Sequence, residues 1–194
     1  MTSFHLLPAA ERTWTPWKNG GGEMSDIAHS PSSAGLDNFN WRVGIARIDR
    51  DGPFSDFPDI DRQVMIVGGK GIRLDVEGLE PARITHKDMP FSFPGDRPIT
   101  AKLIDGPSLA LNVMTRRNRV HVRVGRVDGP AKFVVGDDAW TLLVWARGSA
   151  DFVANGATAA LARHDAALLE FQAEVAITPA PQSHGWVIEL LPMK

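Results

Sequence analysis

The feature that most constrains this chain is an internal repeat of short alternating strands. Val64-Met65-Ile66-Val67 lies over Leu142-Leu143-Val144-Trp145, at an offset of about 78 residues. At that offset 71–76 falls close to 148–153, Gly78 falls on Gly156, and 84–88 falls near 161–165. Phe91-Ser92-Phe93 falls on Leu169-Glu170-Phe171, and Leu111-Asn112-Val113 on Glu189-Leu190-Leu191. Each copy reads strand, turn, strand, turn, strand. Two copies of one small β-barrel are expected: 1–118 as a first barrel carrying any ligand pocket, and 119–194 as a second, degenerate one, with exchange of strands between them left open.

The local pattern agrees. Trp41, Val43 and Ile45 alternate with Arg42 and Gly44, and 121–127 alternates in the same way. The Ala-rich stretch 157–169 is interrupted by Arg163-His164-Asp165 and has strand-like neighbours, so strand is expected there too. The 18 glycines and 14 prolines are spread along the chain as turn punctuation. An all-β fold follows.

Composition narrows the function. With 21 Lys+Arg against 23 Asp+Glu, the chain lacks the basic footprint of a nucleic-acid or anionic-membrane binder. Cysteine is absent, which excludes disulfide scaffolds, thiolate nucleophiles and cysteine-ligated metal sites. The first residues show no signal-peptide pattern, and no apolar stretch is long enough to span a bilayer, so a cytoplasmic protein is expected.

The two copies differ where chemistry could reside. At the uniform offset Arg62 corresponds to Trp140 and Asn112 to Leu190, so polar groups of the first copy become apolar in the second. Phe93-Pro94-Gly95-Asp96 becomes Phe171-Gln172-Ala173-Glu174, which loses a Pro-Gly turn. The first barrel is therefore expected to hold the site. Trp17-Lys18-Asn19-Gly20-Gly21-Gly22 reads either as a lip presenting Lys18 and Asn19 to a small anion or as a flexible turn. Phe54 and Phe57, in a Pro- and Asp-rich loop, suggest aromatic plugs at a barrel mouth. Arg62 there suits two-pronged binding of a carboxylate, the alternative being a surface ion pair with a nearby aspartate. Asn112 alternates with Leu111 and Val113 and is expected to point inward, as a ligand group or a structural one. Arg116 and Arg117 either extend a positive patch or are solvated.

The six histidines form no His-x-His pair and no metalloprotease helix, so neither a metal nor any other cofactor is expected. His86 and His164 fall on equivalent turns at the uniform offset. No Gly-x-Ser-x-Gly elbow is present, and no catalytic residue is assigned. A general base, were the chain an enzyme, would come from His29, His86, Asp56, Asp59 or Asp96. Trp140, Trp145 and Trp186 serve either the core of the second barrel or a homodimer face.

Taken together, several blocks carry a resemblance. Trp17-Lys18-Asn19-Gly20-Gly21-Gly22 with Asp26-Ile27-Ala28, then Trp41-Arg42-Val43-Gly44-Ile45-Ala46, are followed by Asp51-Gly52-Pro53-Phe54-Ser55, Phe57-Pro58 and Asp61-Arg62. Phe93-Pro94-Gly95-Asp96 and Leu111-Asn112-Val113-Met114 with Arg116-Arg117 complete the set. In this order and spacing they resemble the HutD/Ves family. The resemblance implies a bicupin of RmlC-like jelly rolls and a regulatory link to bacterial histidine utilisation. It implies a non-catalytic protein that binds a small carboxylate such as urocanate, a formylated amino acid or formate. Carried over by position, the ligand-binding residues it implies are Lys18, Asn19, Trp41, Arg42, Arg62, Phe93, Asn112 and Met114. The chain departs from the family pattern at Ser25, Asp26, Asp59 and Ala110, the last removing an acceptor. A cupin-type isomerase or hydrolase acting on a small carboxylate is the alternative, and a protein-interaction scaffold the third reading.

Overall fold

A computed structural model of the protein describes residues 4–17, 20–136, 138–169 and 172–193. In chain order its strands are β1 (His5–Leu7), β2 (Thr15–Pro16), β3 (Gly22–Ser30), β4 (Trp41–Ile48), β5 (Gly52–Pro53), β6 (Ile60–Gly68), β7 (Ile72–Val76), β8 (Ala82–Ile84), β9 (Phe91–Pro94) and β10 (Ile99–Leu103). They continue as β11 (Ser108–Arg116), β12 (Val120–Val127), β13 (Ala131–Val135), β14 (Trp140–Arg147), β15 (Ala150–Ala154), β16 (Ala157–Leu161), β17 (Ala166–Leu169), β18 (Ala173–Pro179) and β19 (His184–Pro192). A single 3-10 turn, Ala9–Glu11, is the only helical element among the described residues. The fold is all-β, and the Ala-rich stretch forms two strands, β16 and β17.

The strands fall into two compact units, Thr13–Arg119 and a second comprising Val120 onward with the segment that ends at Arg12. That segment belongs there because β1 pairs with β17. In the Thr13–Arg119 unit, one sheet runs β2-β3-β4-β11-β6-β9 and the other β5-β10-β7-β8. Their inner faces bury Ile48, Val64, Ile66, Leu74, Ile99 and Ala110. In the second unit the sheets run β1-β17-β14-β19-β12 and β13-β18-β15-β16, around Leu143, Trp145, Phe152, Leu161 and Val175. The order β4-β11-β6-β9 recurs as β12-β19-β14-β17, and β5-β10-β7-β8 recurs as β13-β18-β15-β16. One topology is used twice.

The residue equivalences, however, do not keep a uniform offset. Gly69 and Gly148, both at positive φ, lie against Ser108 and Ser183 respectively. The hydroxyl of each serine accepts a backbone N–H at the following turn, from Gly71 and from Ser149. Matching these devices sets the offset at 79 between Gly69 and Gly148 and at 75 between Ser108 and Ser183. A slip of one residue moves a strand's side chains to the other face. Val64 and Ile66, in the core of the first unit, therefore match Leu143 and Trp145 in the core of the second. Asn112 pairs with Val64 and Val187 pairs with Leu143, so the counterpart of Asn112 is Val187 and that of Arg62 is Thr141. These replace the expected Leu190 and Trp140. Asp88 and Asp165 are matched too, each accepting the backbone N–H three residues earlier. His86 and His164 consequently do not occupy equivalent positions.

Trp145 belongs to the core of its own unit, with Trp186 also buried and lying under the Arg126 guanidinium. Trp140 is half-buried.

Candidate functional site

The Thr13–Arg119 unit encloses a cavity of about 1000 Å³. Its floor is the inner face of the six-stranded sheet. Across that face Arg42, Met114 and Arg62 lie in one row, because Met114 on β11 pairs with Arg42 on β4 and with Arg62 on β6. Trp17, Phe54 and Phe57 contribute aromatic surface above the floor. Trp41 does not join this group. It neighbours Arg42 on a strand whose side chains alternate, so it is buried on the opposite face, paired with Thr115.

Arg62 is the central cation. It is only 6% exposed. Its Nη2 donates to Asn112 Oδ1 at 3.2 Å and its Nη1 to the Ser55 carbonyl at 3.3 Å. Its Nε has no partner among the described residues. Three rings surround the guanidinium, with centroids 5.3 Å (Phe54), 5.5 Å (Phe57) and 5.2 Å (Phe93) away. No carboxylate of the described residues forms an ion pair with it. Burial pushes the Arg62 guanidinium down to about 10, since desolvation penalises the charged form and no anion offsets it. The group stays cationic near neutral pH. Phe54 and Phe57 thus enclose a cation and do not merely plug a mouth. Phe93 meets that cation without itself lining the cavity.

Arg42 is a cation of a different kind. Its Nε and Nη2 donate to the two carboxylate oxygens of Asp26, at 2.7 and 2.8 Å, in a forked pair. Gly44 makes room for this arrangement, because a Cβ there would lie 2.9 Å from the Ser25 carbonyl and 3.3 Å from Asp26 Oδ1. Asn112 is 4% exposed. Its Oδ1 receives Arg62, and its Nδ2 donates to the Ala110 carbonyl at 3.3 Å.

The loops around the cavity are tied down. Gly95 is required by close approach and not by an unusual φ: a Cβ there would lie 2.9 Å from the Ile60 carbonyl and 3.1 Å from Arg62 Cδ. The Phe57 N–H donates to the Gly95 carbonyl at 2.7 Å, which pins the aromatic loop beside Arg62. Arg117 bridges Asp61 and Asp96, and Arg116 donates to the carbonyls of Phe39 and Asp37, so neither is a free solvated cation. In the glycine run, Gly20 adopts φ 64° and a Cβ on Gly22 would strike the Arg47 carbonyl. The Trp17 N–H bonds the Gly22 carbonyl and closes the loop. Lys18 and Asn19 lie outside the described residues.

Of the candidate bases, Asp56 and Asp59 line the mouth and are exposed. Asp96 is held by Arg117. His29 contacts the Ser32 carbonyl at 3.2 Å beside a smaller cavity of about 140 Å³. His86 lines neither cavity. Among the described residues no three His, Asp or Glu side chains gather in a metal-binding group. No helix among them is long and apolar enough to cross a membrane. Asp26, the partner of Arg42, was legible only as part of the family blocks and as a departure from their pattern. Its visible signal is an acid on β3 set beside an arginine on β4.

The family model of HutD matches residues 9–187, which spans both units. The chain belongs to the HutD family. A 21.2 kDa protein of Pseudomonas putida, from the hutC 3' region, is 34% identical over 149 residues, covering 77% of this chain and 76% of that one. Protein Ves of Cronobacter sakazakii is 35% identical over 136 residues, covering 65% of this chain and 72% of Ves. The solved structure of HutD from Pseudomonas fluorescens is 28% identical and superposes with a TM-score of 0.84, covering 98% of this chain and all of that one. At the level of fold alone, salicylate 1,2-dioxygenase from Pseudoaminobacter salicylatoxidans superposes with a TM-score of 0.59 at 9% identity, over 77% of this chain and 71% of the dioxygenase. A cupin 2 conserved barrel protein from Leptotrichia buccalis does so at 0.58 and 10% identity, over 87% of this chain and 88% of that one. This HutD-family chain therefore has a cupin-like fold, as its doubled topology leads one to expect.

Proposed function

We propose that this HutD-family protein binds a small carboxylate metabolite at Arg62 and regulates histidine utilisation without turning the metabolite over. One observation carries the reading. A buried guanidinium, ringed by Phe54, Phe57 and Phe93, opens on a large cavity and lacks an anionic partner among the described residues. A ligand carboxylate would supply the missing counter-charge and accept a forked pair of hydrogen bonds. The relative from the P. putida hutC 3' region supports the pathway link. Cytoplasmic location is part of the same reading.

The test is a thermal-shift titration with formate, urocanate, formylglutamate, glutamate and histidine, on the native protein and on Arg62→Ala. Ligand at a hundred times its dissociation constant adds about 2.7 kcal/mol of stability. A dose-dependent rise with one carboxylate, absent in Arg62→Ala, is the expected result. No rise with any of them refutes the reading, and turnover of any of them refutes its non-catalytic part.

A further inference from the structure

The doubled topology leaves one long strand edge uncovered. In the Thr13–Arg119 unit β4 lies inside its sheet: β11 pairs along one edge, and β3 pairs along the other from Trp41 to Ile48. Its counterpart β12 pairs with β19 alone among the described residues and ends its sheet. Gly44 and Gly125 occupy matched places, opposite Asn112 and Val187. A Cβ on Gly44 would lie 2.9 Å from Met24 Cε and from the Ser25 carbonyl, both on β3. A Cβ on Gly125 would meet nothing within 4 Å. A free edge presents unpaired N–H and C=O groups, and folded proteins blunt such edges with short strands, prolines or bulges. The other sheet ends, β1, β2, β5, β8, β9, β13 and β16, have five residues or fewer, and Pro16, Pro53 and Pro94 sit on three of them. β12 has eight residues, no proline and an unbroken register with β19. His121, Arg123 and Gly125 are exposed along it, and Val122 and Val124 are half-buried.

We infer that β12 is the docking edge for a second copy of this chain: two β12 strands pair antiparallel about a two-fold axis at Val124 and join two sheets into one. The strand is self-complementary in that register. His121 of one copy stands opposite Val127 of the other, Val122 opposite Arg126, and Arg123 opposite Gly125. No two cations are directly opposed, which a sheet would resist. An axis at Arg123 sets that residue against itself, and axes at Val122 or Gly125 pair fewer residues. A contact of this symmetry closes on itself and recruits no third copy. Pairing over 121–127 spans about 24 Å of edge. That is small beside a standard interface, so a dissociation constant in the micromolar range is expected. The inference is independent of what the cavity binds.

Sedimentation velocity of the full chain from about 1 to about 200 μM should show reversible dimerisation. Gly125 tests the register, because a side chain there enters open space in its own copy and meets Arg123 of the other. Gly125→Arg creates two like-charged pairs across the axis and should weaken association by about tenfold. Gly125→Glu creates two opposite-charged pairs and should tighten it by about the same factor, and added salt should shrink both shifts. Far-ultraviolet dichroism checks that both variants keep the fold, and the concentration series on the native chain stands without them. A native chain that stays monomeric throughout overturns the inference and leaves the edge to an unrelated extended peptide. A dimer that both Gly125 variants leave unchanged, or shift in the same direction, overturns it too, because the contact then lies elsewhere.

Discussion

Arg62 should be a burden on the ligand-free protein, and replacing it tests whether the cation serves binding or folding. Burial moves the guanidinium well below its ordinary value, to about 10. At about 1.36 kcal/mol per pH unit, folding places the cation about 3 kcal/mol above its level in water. Because a lowered base is involved, the deficit is fully present below about 10 and is relieved only as pH rises through that value. It is therefore constant across the neutral range. Arg62→Met keeps the stem as far as the Nε position and removes the charge, but it strands Asn112 Oδ1, which loses its one donor. An unsatisfied buried acceptor costs about 1–3 kcal/mol, so the single variant should be close to neutral. Arg62→Met combined with Asn112→Leu removes both polar partners and should stabilise by about 2–3 kcal/mol. At about 2–4 °C per kcal/mol for a chain of this size, the melting temperature rises by roughly 4–12 °C. Urea unfolding followed by tryptophan fluorescence, with calorimetry alongside, reads both variants. A double variant less stable than the native protein by more than about 2 kcal/mol refutes the reasoning. It would mean that the contacts of Arg62 with Phe54, Phe57 and Phe93 hold the loop together and that the cation is structural.

Gly185→Ala should be severe, because its Cβ would strike the Trp145 ring; a loss of about 2–4 kcal/mol in urea unfolding and altered near-ultraviolet dichroism are expected. Gly95→Ala presses on the Ile60 and Phe57 carbonyls and on the Arg62 stem, so it should lower stability by about 1–3 kcal/mol and weaken carboxylate binding together, read by thermal shift with and without ligand. Hydrogen bonds from the Thr85 hydroxyl and backbone N–H hold Asp88 below the usual carboxylate range. Its contribution is present above the ordinary aspartate value and is lost as pH falls through the depressed one. Asp88→Ala should therefore cost under about 1 kcal/mol at pH 7, with the difference from native vanishing in acid, read from urea midpoints at both pH values.

Strand alternation and turn punctuation made the fold class and the repeat legible, because a two-residue period records which face of each strand is buried. The exact correspondence of residues was not legible. Connections shorten through the second copy, so the offset drifts from 79 to 75, and a uniform one slips Arg62 and Asn112 onto the wrong faces of β14 and β19. A better anchor was present in the Arg-Val-Gly triplets at 42–44 and 123–125, where Gly44 pairs with Asn112 and Gly125 with its counterpart Val187. The same alternation sets Trp41 apart from Arg42, so a list taking both into one pocket conflicts with the strand that carries them. Arg42, Arg62, Asn112 and Met114 do converge. The pairing of Arg42 by Asp26 and the absence of an acid at Arg62 among the described residues depend on which strands neighbour one another, and no short motif records that.

The two units show why one of them can hold a polar cavity. At matched positions Trp145 lies against Gly185 in the second unit, where the first has Ile66 against Ala110. Thr141 and Val187 stand where the first has Arg62 and Asn112. The second interior is thus filled by a large ring, with Phe152 and Phe4 packed edge-on to each other in the same core. Filling an interior maximises dispersion and apolar burial, whereas a cavity with a bare cation gives up both. The same ladder therefore supports opposite solutions, and the first unit keeps the less stable one. On the proposed reading Arg62 is retained because its partner arrives from solution, and restoring that partner is where the binding energy for a carboxylate would come from.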